Sequence, residues 1–496
     1  MTSPVMLFGR GWVEGGTSRA DVEPKKVSQR KSIMRWASLG LLIACVAGLA
    51  DAEIPPLTVP VGVMVEGIEC ASNPTQTYTL YVPSTYSSDR LWPVLLVFDP
   101  RGRSLLAAEL FRDAAEAYGW MIVSSDNTRS DGPMEPNTIA LEALWPEIHL
   151  RLPTDSSRIY AAGFSGGAAV AYSLSRATQG LAGILACGGR HFPEILEGDD
   201  VPIFATAGSL DFNYREMHLL NEFLEAQGNP HRLAIFEGSH SWMPPELARE
   251  AIEWFELVAM QRGERSVDAE LVGTLLAKDM EAANLLVDEG RDYDAARRYR
   301  EIDRTYGGLG VSTNAGSRAR KIEAEATYRD QAKTIKKIRN FERRCDERVS
   351  IGLHALRSSE IPQPVAQLAQ RFQIRQLQHE GEQKDARGLA AQRCLNALYG
   401  GVSFYLPRDT AGEGRYAHAA TSYELAVMIR DDNPVVWYNL ACMRALLGHD
   451  EAAMEALARA FETGFNQFEL MATDHDLDGL RDREDFKRLV APVGAE

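Results

Sequence analysis

The chain has few cysteines, no metal-binding pattern and no excess of positive charge. Of its 496 residues only six are cysteine: Cys45, Cys70, Cys187, Cys345, Cys394 and Cys442. None stands in a C-x-x-C pair and no histidine cluster accompanies them, so no structural zinc site, and no metal or other cofactor, is expected. Six cysteines in this length build no disulfide framework. A Cys345–Cys394 bridge would need an oxidising compartment, and two buried free thiols are the plainer reading. Lysine and arginine number 53 against 69 acidic residues, a net charge of −16. That excludes a general nucleic-acid binder, which needs a basic face for phosphates. The local basic stretch Lys333–Arg344 reads as the solvated face of a helix. What is present is ordinary for a globular chain: 45% hydrophobic and 25% charged residues, enough for two or three domains.

Residues 1–52 read as a leader rather than a domain. Residues 1–33 show no sustained period. Lys31 and Arg35 then flank the apolar run Trp36–Ala50, which ends in Ala50-Asp51-Ala52. A basic flank, a short apolar core and small residues at the end describe a secretory signal. The run falls short of the roughly 20 residues of a spanning helix. Met34 is an alternative start. Leu42-Ile43-Ala44-Cys45 resembles a lipidation site, so a membrane role is expected only if Cys45 is lipid-anchored or the signal stays uncleaved. Otherwise the protein is expected in the periplasm or outside the cell.

Residues 55–262 alternate between strand and helix patterns. Thr77–Pro83 alternates apolar and polar residues up to a proline, and Trp92–Phe98 is a continuous apolar run, as in a strand buried on both faces. Further strands are expected at Met121–Val123, Ile159–Phe164, Gly183–Cys187, Val201–Thr206 and Arg232–Phe236. Helices are expected at Leu105–Tyr118, Asn137–Leu150, Arg215–Ala226 and Glu246–Met260. The fold class is α/β, a mainly parallel sheet covered on both faces. Within it, Gly163-Phe164-Ser165-Gly166-Gly167 is a G-x-S-x-G between a strand and a helix, the setting of a nucleophile elbow.

Ligands of such sheets lie beyond the carboxyl ends of the strands. A serine nucleophile there needs an acid and a histidine after later strands, in the order Ser, Asp or Glu, His. Asp211 follows the Val201–Thr206 strand and His240 follows the last strand. His149 and His218 fall on helices, His231 precedes its strand, and His191 is the rival position. The expected catalytic set is Ser165, Asp211 and His240.

The matching stretches are Tyr78–Pro83, Asp155–Tyr160 leading into Gly163–Gly167, Gly208–Asp211 and Gly238–Trp242. On these, about 200 residues resemble an α/β-hydrolase of the carboxylesterase, feruloyl-esterase and polyhydroxyalkanoate-depolymerase-like kind. The resemblance implies an ester substrate and an acyl-enzyme. Relatives of this kind usually carry His-Gly after the third strand, where a backbone N–H helps form the oxyanion hole. Here Asp99-Pro100-Arg101-Gly102 stands instead, and Pro100 has no N–H. Arg101 and Gly166 N–H groups are then the expected donors; losing one costs about 3 kcal/mol. Arg101 and Arg103 could face an anionic substrate, and Arg103 and Trp242 are the candidate substrate-binding residues. A serine peptidase with the same triad stays open, as does a non-catalytic scaffold.

After the charged stretch Gln261–Arg265, residues 265–496 lose strand signals and become helical. Residues 434–467 fit a tetratricopeptide repeat through Trp437, Leu440, Ala441, Gly448, Ala453 and Ala460. Gly414–Ile429 fits the second half of another, so the clearest stretch is 414–467. An all-α repeat-like region of this kind implies a protein partner. His418 and His449 read as surface residues. The aspartates from Asp474 to Asp478 lack calcium-loop spacing and read as a terminal cap.

Overall fold

The computed structural model describes residues 56–130, 132–178, 180–189 and 200–490. The leader, the signal segment, Cys45 and His191 lie outside the described residues. The chain divides into two compact units, one ending at Lys336 and the other beginning at Lys337.

Among the described residues of the first unit, eight strands form one sheet: β1 (Met64–Cys70), β2 (Asn73–Tyr81), β3 (Trp92–Phe98), β4 (Met121–Ser125), β5 (Thr154–Phe164), β6 (Gly183–Cys187), β7 (Ile203–Gly208) and β8 (His231–Phe236). Their order is β1-β2-β4-β3-β5-β6-β7-β8. β1 and β2 are antiparallel to their neighbours, and every pair from β4 to β8 is parallel. All seven residues of β3 are buried, because a parallel centre is covered on both faces. Successive side chains alternate faces. Leu95 and Val97 join Phe111, Ile252 and Phe255 in one core. Val94 and Leu96 join Leu144, Val170 and Leu220 in the other. The covering helices are α1 (Ser104–Glu109), α2 (Arg112–Tyr118), α3 (Glu135–Leu150), α4 (Gly166–Thr178), α5 (Tyr214–Gln227) and α6 (Pro245–Gln261).

The first unit does not end with the charged stretch after α6. Three more helices belong to it: α7 (Ala269–Asp288), α8 (Asp292–Gly307) and α9 (Ala315–Glu323). Leu257 and Met260 of α6 share a core with Val272, Leu275, Tyr299 and Ile302. A polar knot reinforces that core. Buried Asp279 accepts from Arg298 at 2.6 Å, Tyr306 Oη at 2.9 Å and Arg232 of β8 at 3.3 Å. Burial alone would raise the Asp279 pKa; Arg232 and Arg298 outweigh it and hold the carboxyl below its usual range. Asp279→Ala would leave Arg232 and Arg298 to share the Glu250 carboxylate, at 3.2 and 2.8 Å, and is expected to lower the unfolding free energy by about 1–3 kcal/mol in urea titration. Glu289→Ala, which removes an exposed partner of Arg291, is expected to cost less than about 1 kcal/mol.

The second unit is helical throughout its described residues. The helices Tyr416–Ile429, Pro434–Leu446 and Asp450–Glu462 follow one another through short connections. Gly448 sits between the last two at a φ of 72°, which a side chain would strain. Ala419, Ala426, Ala441, Ala453 and Ala460 are buried in the contacts, where small residues let helices approach. Cys345 and Cys394 are free and buried. Their thiols hydrogen-bond to each other, and this contact together with burial raises the Cys394 pKa. His418 is not a surface residue: it is buried, with Nε2 3.0 Å from the Ser359 carbonyl, and burial pushes its pKa down.

Candidate active site

β5 is long because Thr154–Phe164 pairs on both sides, with β3 and with β6. It ends at Ser165, whose φ of 52° is one of two positive values outside glycine among the described residues. Such a conformation costs on the order of 1–3 kcal/mol in a non-glycine residue. The surroundings enforce it. Ser165 N–H donates to the Cys187 carbonyl at 2.9 Å, and α4 starts at the next residue. A side chain on Gly163 would strike the Gly167 backbone, and one on Gly167 would strike the Phe98 carbonyl of β3. The two glycines are therefore a packing requirement of the turn.

Three side chains meet at the carboxyl ends of the strands. Ser165 Oγ lies 2.9 Å from His240 Nε2, and His240 Nδ1 lies 2.9 Å from Asp211 Oδ1. Asp211 is fully buried. The same Oδ1 accepts the Asn213 N–H at 2.7 Å, while Oδ2 has no hydrogen-bond donor among the described residues and sits against Gly188. The His240 ring is flanked by Phe164 and Phe212, at centroid distances of 4.6 and 4.1 Å. The alternatives lie elsewhere: His231 heads β8 with Nδ1 2.8 Å from the Asn229 carbonyl, and His218 is on α5.

The turn after β3 differs from expectation. Arg101 N–H is not open toward the serine; it donates to Asp99 Oδ1 at 2.9 Å. Asp99 is fully buried. Its carboxylate also takes Arg103 Nε at 3.0 Å, Arg103 Nη2 at 2.8 Å and Trp242 Nε1 at 2.9 Å. Burial would raise the Asp99 pKa, and these donors bring it below the usual carboxylate range. Arg103 and Trp242, expected at the substrate, are thus both bonded to Asp99. The physical reason is that a buried carboxylate must be hydrogen-bonded or paired. Trp242 also packs on Phe164 and edge-on to Phe111. Asp99 is the site residue that the sequence reading passed over. Its signal was there: Asp-Pro-Arg-Gly suits a turn closed by the aspartate side chain, with Arg103 at i+4.

Gly166 is the first residue of α4. A side chain on it would collide with Ser130, which follows β4. Among the described residues the remaining acid–thiol grouping is Cys442, Asp474 and Asp476 in the second unit. Asp474 there caps a short 3₁₀ helix through Asp476 N–H and accepts Tyr438 Oη at 2.6 Å, a structural arrangement.

A family model described as phospholipase/carboxylesterase matches residues 142–260. The match takes in Ser165, Asp211 and His240 and begins after the Asp99–Arg103 turn. No curated protein matches the chain. Among solved structures, a thermostable esterase is 18% identical over 39% of this chain and 62% of its own, with a TM-score of 0.33. The substrate-bound fluorophosphonate-binding serine hydrolase F of Staphylococcus aureus is 13% identical over 39% and 97%, TM-score 0.32. Esterase 2 of Thermogutta terrifontis is 14% identical over 42% and 96%, TM-score 0.33. The chain thus spans less than two thirds of the first of these. Sheet order, strand–turn–helix geometry and the family match over residues 142–260 agree on an α/β-hydrolase fold in the first unit.

Proposed function

We propose that this protein cleaves carboxylic esters through Ser165, His240 and Asp211. The observation that carries the reading is the relay from Ser165 Oγ through both ring nitrogens of His240 to Asp211, each link 2.9 Å. Ser165 Oγ attacks the ester carbonyl and His240 Nε2 takes its proton. Asp211 holds the Nδ1–H tautomer and stabilises the imidazolium. The Gly166 N–H, at the positive end of α4, faces the charge that develops on the carbonyl oxygen. His240 then returns the proton to the departing alkoxide. A water attacks the acyl-enzyme by the same route and releases the acid and free Ser165.

The test is chemical. A fluorophosphonate is expected to label the wild-type protein once, at Ser165, and to block turnover of a short-chain chromogenic ester in proportion to labelling. Turnover that survives full labelling overturns the reading. Export follows from the Lys31–Ala52 segment, and N-terminal sequencing of the mature protein tests it. The helical unit is read as tetratricopeptide-like, for protein contacts, from the small buried residues of its hairpins. One observation favours a scaffold instead: the Arg101 N–H is occupied by Asp99, leaving the oxyanion hole one donor short. A protein that resists the fluorophosphonate but retains a tight partner would support that alternative.

A further inference from the structure

We propose that Asp99 is a positioning residue of this site: its buried carboxylate, acting through the Trp242 indole, sets where the loop carrying His240 stands. The inference rests on the Ser165–His240–Asp211 reading. Phe98, the last residue of β3, is paired with Gly163 of β5, two residues before the nucleophile. The turn that begins at Asp99 therefore lies beside the elbow. Asp99 has no exposed surface, and its carboxylate takes four donors within 3.0 Å. Arg101 N–H and Arg103 Nε reach Oδ1 at 2.9 and 3.0 Å, while Arg103 Nη2 and Trp242 Nε1 reach Oδ2 at 2.8 and 2.9 Å. Three of the four come from the turn itself, two and four residues on, and give each oxygen a partner as burial demands. The fourth comes from 143 residues further along the chain. The turn is closed without it. What it holds is the other end, because Trp242 stands two residues after His240.

The loop has a tie on each side of His240. Before it, the Gly238 carbonyl accepts Leu210 N–H at 2.8 Å, which joins the loop to the Asp211 turn. After it, the Ser241 carbonyl lies 3.5 Å from Cys187 Sγ, and a thiol is a weak donor. The indole bond is the stronger hold on that side, since its acceptor is charged: the surrounding donors keep the Asp99 carboxyl below its usual range. The anchored indole also steadies the rings around the base. Trp242 packs on Phe164 at a centroid distance of 5.6 Å and edge-on to Phe111 at 6.1 Å, and Phe164 packs on His240 at 4.6 Å. Carboxylate, indole, Phe164 and imidazole are thus one continuous set of contacts. A nucleophile and its base work only in a narrow geometry, where a shift on the order of 1 Å can cost about 10²-fold in rate. Fastening the His240 loop to a turn beside the elbow keeps the imidazole in register with Ser165 Oγ.

The experiment is the kinetics of Trp242→Phe, Asp99→Asn and the double variant in the full chain, on two esters that differ in acyl length. Trp242→Phe keeps a ring against Phe164 and leaves Asp99 its donors from the turn, so it removes the tie alone. It is expected to lower kcat by about 10–10²-fold with KM little changed, and by the same factor on both esters. The rate at which a fluorophosphonate labels Ser165 should fall alike, and the thermal unfolding midpoint should stay near that of the wild type. Asp99→Asn offers only one acceptor oxygen to donors that used two, and is expected to lose at least as much kcat. The double variant should be hardly slower than Asp99→Asn, because both residues act through one bond. If Asp99→Asn does not fold, Trp242→Phe decides alone. Wild-type turnover and labelling in Trp242→Phe overturn the inference and leave the triad reading standing. A loss that appears in KM and varies with acyl length also overturns it, by making Trp242 a substrate contact. Losses that multiply in the double variant, or a loss in Trp242→Phe matched by a lowered midpoint, overturn it as well: the first separates the two residues, and the second makes the indole purely structural. A wild-type protein that neither turns over esters nor takes the fluorophosphonate removes the triad reading and this inference together.

Discussion

Ser165→Ala is expected to lower kcat for a short-chain ester by about 10⁶-fold, the loss found when the nucleophile of a serine triad is removed. The geometry explains the size. Ser165 Oγ is held 2.9 Å from His240 Nε2 by a backbone at φ 52°. His240→Ala should cost a comparable factor, since an un-ionised serine hydroxyl is a poor nucleophile. The double variant should be hardly slower than either single one, because the two groups act as one unit. Steady-state rates of the three variants, normalised to folded protein by circular dichroism, check this. Losses that multiply would mean that the two residues act separately and that the relay is not the engine of the reaction.

Much of the first unit could be read from local pattern because its strands are buried on both faces. Seven consecutive apolar residues in β3 leave little alternative, and Ser165 sits between a strand and a helix for reasons written within five residues. Asp211 and His240 could be located because parallel sheets open at one end. β1 escaped notice for the opposite reason. It is an edge strand, Met64–Cys70, with only Cys70 buried, so its sequence carries no apolar alternation to see. Its pairing with β2 comes from chain proximity and backbone hydrogen bonds, which composition does not encode.

Long-range chemistry accounts for the other differences. The fate of the Arg101 N–H depends on a carboxylate two residues back, but that carboxylate is fixed in place by Trp242, 143 residues away. Local reading could offer Arg101 as a donor; it could not see that Asp99 would be buried and need every donor nearby. The first unit runs past the charged stretch after α6 for a similar reason. Gln261–Arg265 is charged like a linker, yet Arg265 pairs with fully buried Glu256, and Arg232 reaches Asp279 on α7. Charges that are solvated in a linker and charges that close a buried network look alike in one dimension. His418 repeats the lesson in the second unit, where a neighbouring carbonyl makes burial of a histidine tolerable.

Asp211 should separate two roles that are usually lost together. Asp211→Ala is expected to lower kcat by about 10⁴-fold, as removal of a triad acid does. Asp211→Asn should lose distinctly less. Both hydrogen bonds of Asp211 fall on one oxygen: Oδ1 receives Asn213 N–H at 2.7 Å and faces His240 Nδ1 at 2.9 Å. An asparagine can keep its carbonyl there, retain both bonds and preserve the His240 tautomer, with its NH₂ in place of Oδ2. What it gives up is the negative charge beside the imidazolium. The difference between the two variants therefore measures orientation, and what Asn fails to restore measures charge. The amide pays in stability instead. The Oδ2 position is buried without a partner among the described residues, so two unsatisfied N–H groups there are expected to cost about 1–3 kcal/mol in urea unfolding. If Asp211→Asn is as slow as Asp211→Ala, the amide has flipped, presenting its NH₂ to Nδ1 and forcing the wrong tautomer. The Asn213 N–H would then have lost its acceptor.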